Sequence, residues 1–120
     1  METIKEYEVE ITSQAKLYYF EILEYFYEYM SYDSATKKAE ELYDGAHSLK
    51  TLPERGQLEL TLQHLKKEHR YLLYHSTSRR AIKIIYFLDK RRDVVYVTDF
   101  FPTEMDEKKI KDRNPVSARF

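Results

Sequence analysis

Residues 79 to 104, RRAIKIIYFLDKRRDVVYVTDFFPTE, leave this chain little choice of structure. Two runs of β-branched and aromatic residues, Ala81 to Leu88 and Val94 to Phe101, flank the charged connection Asp89 to Asp93. That pattern reads as a β-hairpin. Both strands are apolar on both faces: Ile82, Ile84, Tyr86 and Leu88 interleave with Ile85 and Phe87, and Val95, Val97 and Phe101 with Val94, Tyr96 and Phe100. Strands of this kind belong in the middle of a sheet, covered on at least one side. Lys83 and Asp99 are the charged exceptions inside them and mark the positions where chemistry is expected.

A chain of 120 residues suffices for one domain with its own core. Residues 1–111 are expected to form it, with 112–120 as a flexible tail. There is no cysteine, so Cys-ligated zinc, thiol catalysis and disulfides are excluded together. The N-terminus has no basic region followed by an apolar run, and no window approaches a membrane span, so the expected compartment is the cytoplasm. The net charge of -1 conceals an asymmetry: residues 1–60 carry 13 acids and 6 bases, residues 61–120 carry 8 acids and 14 bases. One acidic and one basic face are expected, the second a landing site for phosphates.

Along the chain, Tyr7, Val9 and Ile11 alternate with Glu6, Glu8 and Glu10, the pattern of an edge strand with one wet face. Thr12 or Ser13 then caps a helix running to about Tyr32, whose buried stripe is Ala15, Tyr19, Ile22, Phe26 and Met30. Asp33-Ser34 is expected to break it and cap a second helix with the stripe Ala35, Ala39, Leu42, Ala46 and Leu49. A stripe made largely of alanine allows close approach, so the two helices should form a hairpin lying on the sheet. Gly45 within it implies closer packing or a bend. Leu52 to Gly56 is a turn; Gln57 to Glu68 fits a strand and a helix equally; Arg70 to His75 is a strand, and Thr103 to Lys111 suits a helical turn. The fold class is therefore α+β: an N-terminal strand, a helical hairpin, then a three-stranded antiparallel meander completing one sheet.

This order and its local signatures resemble the RelE/ParE superfamily, the toxins of bacterial type II toxin-antitoxin pairs, also known as plasmid stabilisation proteins. Tyr7 to Ala15 is similar to the family's first strand and helix start, Leu49 with Pro53, Arg55 and Gly56 to its turn after the helices, and Arg70 to Leu73 to its second strand. Ile82 to Tyr86, Val94 to Asp99 and Thr103 to Ile110 match its third strand, fourth strand and exit segment. The resemblance spans about residues 5–110. It implies an antitoxin as partner and no cofactor, and the expected activity is that of RelE-like members, which inhibit translation by cutting mRNA in the ribosomal A site; the alternative is that of ParE-like members, which poison DNA gyrase without such chemistry. A member that only binds its antitoxin is the remaining alternative, and homodimerisation stays open.

RNA cleavage needs a base for the 2'-hydroxyl, cations for the charge growing on phosphate, and an acid for the leaving oxygen. By resemblance, the family's third-strand arginine falls at Lys83, which keeps the charge and loses the bidentate fork. The basic residue after the last strand falls at Glu104, where a carboxylate opposes the chemistry. Arg70 and His75 complete the catalytic candidates, with His69 also near a neutral titration range. Arg79, Arg80, Lys66 and Lys67 are the candidates for holding nucleic acid. His47, His64, His69 and His75 lack ligand spacing, so no metal is expected. Six of the twelve tyrosines lie between Tyr18 and Tyr32, more than one buried stripe absorbs. Tyr18, Tyr25 and Tyr32, seven apart, are expected to form a second face that suits an antitoxin.

Overall fold

The computed structural model describes residues 4–114. The elements are β1 (Glu8–Ile11), α1 (Ser13–Tyr29), α2 (Tyr32–His47), β2 (Gln57–Leu58), β3 (His69–His75), β4 (Ala81–Asp89), β5 (Val94–Pro102) and α3 (Lys109–Arg113). The fold is α+β. The five strands lie in the order β1-β5-β4-β3-β2, with β4 and β5 central as their two apolar faces require. The sheet is mixed rather than a plain meander, because β1 runs parallel to β5 across Val94 to Val97 while the other pairs are antiparallel. A parallel neighbour needs a crossover, and the helical hairpin supplies it.

Thr12 caps α1 as its residue type predicts, its hydroxyl accepting from the Ala15 N–H at 3.1 Å. The end of α1 differs from expectation. The helix stops at Tyr29, and Ser31, not Asp33 or Ser34, caps α2 by accepting from the Ser34 N–H at 3.2 Å. Asp33 instead lies in the first turn, where its charge complements the helix dipole. The alanine stripe of α2 is buried throughout, and Leu42, Leu49 and Phe100 fill the space between helices and sheet. Burial of each such side chain contributes about 1.5–3 kcal/mol. Close packing also accounts for Gly45, since a Cβ there would stand 3.2 Å from Ile84 Cδ1.

The other sheet face is covered by the segment left undecided in the sequence. Residues 57–68 are neither one strand nor one helix: the two-residue β2 is followed by a 3-10 turn, Leu60–Leu62, that drops Leu62 onto Ile85, Phe101 and Ile110. Leu58 and Leu60 stay exposed while Leu62 is buried, so neither the strand-like nor the helical stripe of leucines forms a buried face.

Within β5, Ile85 pairs with Asp99 and Tyr86 with Val97, so Thr98 is an extra residue and a bulge. It shifts the alternation of the strand, so that Val95, Val97 and Phe100 all reach the helix side while Phe101 faces Leu62 and Ile110. The tail expected over 112–120 is corrected at its start: Arg113 ends α3 and pairs with Asp99, and Asn114 is buried. Residues 115–120 lie outside the described residues.

Candidate functional site

The sheet face bearing Lys83 is the first place to look for the expected chemistry. Lys83 Nζ lies 2.8 Å from a carboxylate oxygen of Glu59, whose side chain is 1% exposed, and 3.8 Å from Glu107. It also sits 4.3 Å from the centre of the Tyr71 ring. The second Glu59 oxygen accepts from the hydroxyl of Thr61 at 2.8 Å. Lys83 is thus the cationic half of a buried ion pair that ties the 59–62 segment to β4. A phosphate reaching this ammonium would have to displace a desolvated carboxylate and face Glu107 as well.

The other catalytic candidates do not assemble around it. Leu73 pairs with Lys83, whereas Arg70 pairs with Tyr86, a member of the helix-side core, so Arg70 and Lys83 lie on opposite faces of the sheet. Arg70 bonds Glu68 at 2.8 Å and the Gly56 carbonyl at 2.7 Å, bracing β2. His75 is exposed at the far end of β3, five residues and about 16 Å along the strand from Arg70. His69 is buried against Phe87, and its Nδ1 is 2.9 Å from the Lys67 carbonyl oxygen. Lys66 and Lys67 lie in the connection before β3, and Arg79 and Arg80 in the exposed turn after it.

Burial pushes the His69 imidazole below its ordinary value. A base depressed in the folded state contributes stability that is present above its unfolded pKa of about 6.5 and is lost as pH falls through the folded value. Thermal unfolding followed between pH 7 and 5 should therefore show a larger acid-side loss for the native chain than for His69→Gln. Parallel curves would mean that the ring stays solvated.

A second cluster forms where α1 passes over the end of the sheet. A cavity of about 220 Å³ opens there, walled by Tyr18, Ile22, Tyr25 and Phe26 from α1, Ile82 from β4, Phe100 from β5 and Met105. Two of the three tyrosines expected to form a surface, Tyr18 and Tyr25, do share this wall. Tyr32 does not: the break at Met30 and Ser31 carries it to the first position of α2, where it is 73% exposed and its ring lies tilted at 43° against that of Tyr27, with centres 5.6 Å apart. Glu104 and Glu21 line the cavity. Arg80 reaches Glu104 at 3.5 Å and lies 5.5 Å from the centre of the Tyr25 ring.

The cavity wall also contains Arg113, which sequence reasoning missed. Its Nη2 donates to Asp99 at 2.7 Å and to the Phe100 carbonyl at 3.1 Å, and its guanidinium is 3.7 Å from the Tyr18 ring centre. β1 covers β5 only as far as Val97, so this cation binds the stretch of β5 edge that β1 leaves open. Asp99 is 0% exposed and also accepts from the Asn114 amide at 3.2 Å. Burial pushes its carboxyl above the ordinary value, against the opposing pull of Arg113 and Asn114. The signal was present in the sequence, since a carboxylate inside a core strand requires a cation, but the strand pattern does not say which. No protein-family model, curated protein or solved structure matches the chain.

Proposed function

We infer that the chain is the toxin-like member of a toxin-antitoxin pair, of RelE/ParE type, working through protein contacts with an antitoxin and a ParE-type target, DNA gyrase, rather than by cutting mRNA. The observation that carries the choice between activities is the Lys83–Glu59 ion pair. Ribosome-dependent cleavage needs several cations converging on one phosphate, and here the best-placed cation is neutralised by a buried carboxylate while Arg70 lies on the opposite face. Glu104, near which the family places a cationic residue, adds a further negative charge and is bound by Arg80.

The test is to induce the protein in bacteria and map mRNA ends on translating ribosomes alongside trapped gyrase-DNA complexes. Intact mRNA with accumulating gyrase complexes is the expected result; fresh cuts phased to the A site would reverse the reading in favour of translation inhibition. Lys83→Ala alone is a poor probe, because it strands the buried Glu59 carboxylate and should cost about 3–5 kcal/mol. Lys83→Met with Glu59→Gln removes both charges at similar volume. That double variant should fold and arrest growth as the native chain does, and a folded but harmless product would return Lys83 to the chemistry. Under the nuclease alternative, Glu104→Arg would raise cleavage; the protein-contact reading expects no cleavage from it.

A further inference from the structure

We propose that the cavity between α1 and the end of the sheet receives one large apolar side chain of a partner peptide, whose neighbouring residue is a lysine or arginine held at the mouth by Glu21 and Glu104. The proposal rests on the reading that this chain works by binding proteins, and adds the chemistry of what is bound. Size is the first argument. A cavity of about 220 Å³ exceeds the roughly 150 Å³ that admits benzene and falls short of the roughly 300–1,000 Å³ typical of sites for drug-sized ligands. It is too small for a nucleotide and on the scale of a phenylalanine, leucine or methionine side chain. Its deeper wall, Ile22, Phe26, Ile82, Phe100 and Met105, is apolar, as such an anchor requires.

Charge decides what accompanies the anchor. Glu21 and Glu104 both line the opening and both are exposed. Glu24 and Glu28 extend the acidic row along α1. The cation within the wall, Arg113, already serves Asp99. The exposed Arg80 shows what the mouth accepts, a guanidinium between the Tyr25 ring and the Glu104 carboxylate. A cationic neighbour to the anchor reproduces that arrangement on the Glu21 side and shares Glu104 with Arg80, whereas an acidic one meets the exposed Glu21 carboxylate and a Glu104 that Arg80 offsets only in part at 3.5 Å.

The probes are N-acetyl-Phe-Lys-amide, N-acetyl-Phe-Glu-amide and N-acetyl-Gly-Lys-amide, titrated to millimolar concentration at low salt against the full chain with its isoleucine and methionine methyl groups labelled for NMR. Phe-Lys should shift the Ile22, Ile82 and Met105 methyl signals and bind about five- to tenfold tighter than Phe-Glu, with the difference shrinking at high salt. Gly-Lys should leave those signals in place. Glu21→Lys with Glu104→Lys, both at exposed positions, should reverse the preference, and Ile82→Phe should fill the cavity and abolish binding. Unmoved methyl signals, or equal affinity for Phe-Lys and Phe-Glu in the native chain, would overturn the proposal even if Ile82→Phe fails to fold. Gyrase trapping in cells is read separately, so loss of the peptide site leaves the functional reading standing, and phased mRNA cuts overturn that reading without touching the titration.

Discussion

Arg113→Ala should, like Lys83→Ala, be among the most destabilising charge removals among the described residues, costing about 3–5 kcal/mol in chemical denaturation at neutral pH. The cost is not the loss of one surface contact. Asp99 is fully buried, and without the guanidinium it keeps only the Asn114 amide as a side-chain partner among the described residues. The Phe100 carbonyl on the edge of β5 loses its donor at the same time. The deficit should depend on pH in a stated direction. Burial already raises the Asp99 carboxyl, and removal of the neighbouring cation raises it further. A carboxyl raised in the folded state favours folding below its unfolded pKa and loses that contribution as pH rises through the folded value. The gap between native and Arg113→Ala stability should therefore be widest near pH 7 and narrow as the solution is acidified. Asp99→Asn with Arg113→Met, which removes both charges and keeps much of the volume, should recover a large part of the loss. A gap that ignores pH would show that Asp99 is hydrated in the variant and that the α3 latch had simply come away.

Patterns that repeat over many residues were legible in the sequence. The doubly apolar runs over 81–101 required a central hairpin, and the four-three spacing in both helices named Ala15, Ile22, Phe26 and the α2 alanines as core. Local choices among chemically equivalent candidates were not legible. Ser31, Asp33 and Ser34 are all competent caps, and the chain selects Ser31 because the strand-like backbone at Met30 and Ser31 ends α1 at Tyr29. That three-residue difference is what removes Tyr32 from the face holding Tyr18 and Tyr25. Residue-type reasoning found the odd charges, Lys83 and Asp99, and left their partners blank. Both partners sit in segments with no period: Glu59 lies between a two-residue strand and a 3-10 turn, and Arg113 ends a five-residue helix. Lys83 alone resembles a phosphate-binding cation. Lys83 beside Glu59 is a structural pair, and only the tertiary fold distinguishes the two.

The same dependence on a non-periodic segment makes Gly56→Ala the second large effect to expect, at about 3 kcal/mol, the upper part of the range for forcing extra volume into a packed site. Gly56 has an ordinary extended backbone, φ -71° and ψ 162°, so alanine meets no conformational penalty there. The obstacle is contact: a Cβ would overlap the Tyr86 hydroxyl and stand 2.8 Å from the Tyr71 carbonyl oxygen. Neither can easily withdraw. The Tyr86 ring is fully buried, and its hydroxyl accepts from the Gly56 N–H at 3.1 Å while donating to the Pro53 carbonyl. The Tyr71 carbonyl belongs to β3 beside β2. Relief must come from moving residues 56–58 outward, which breaks the β2 pairing, releases the Arg70 bond to the Gly56 carbonyl and shifts Glu59 from Lys83. Hydrogen exchange should therefore rise at the Glu59 amide, which donates to His69, before it rises in α1 or β5. Tyr86→Phe is the discriminating companion. It removes the obstructing oxygen, so Gly56→Ala should cost less in that background than in the native chain, and strict additivity would place the strain at the Tyr71 carbonyl instead.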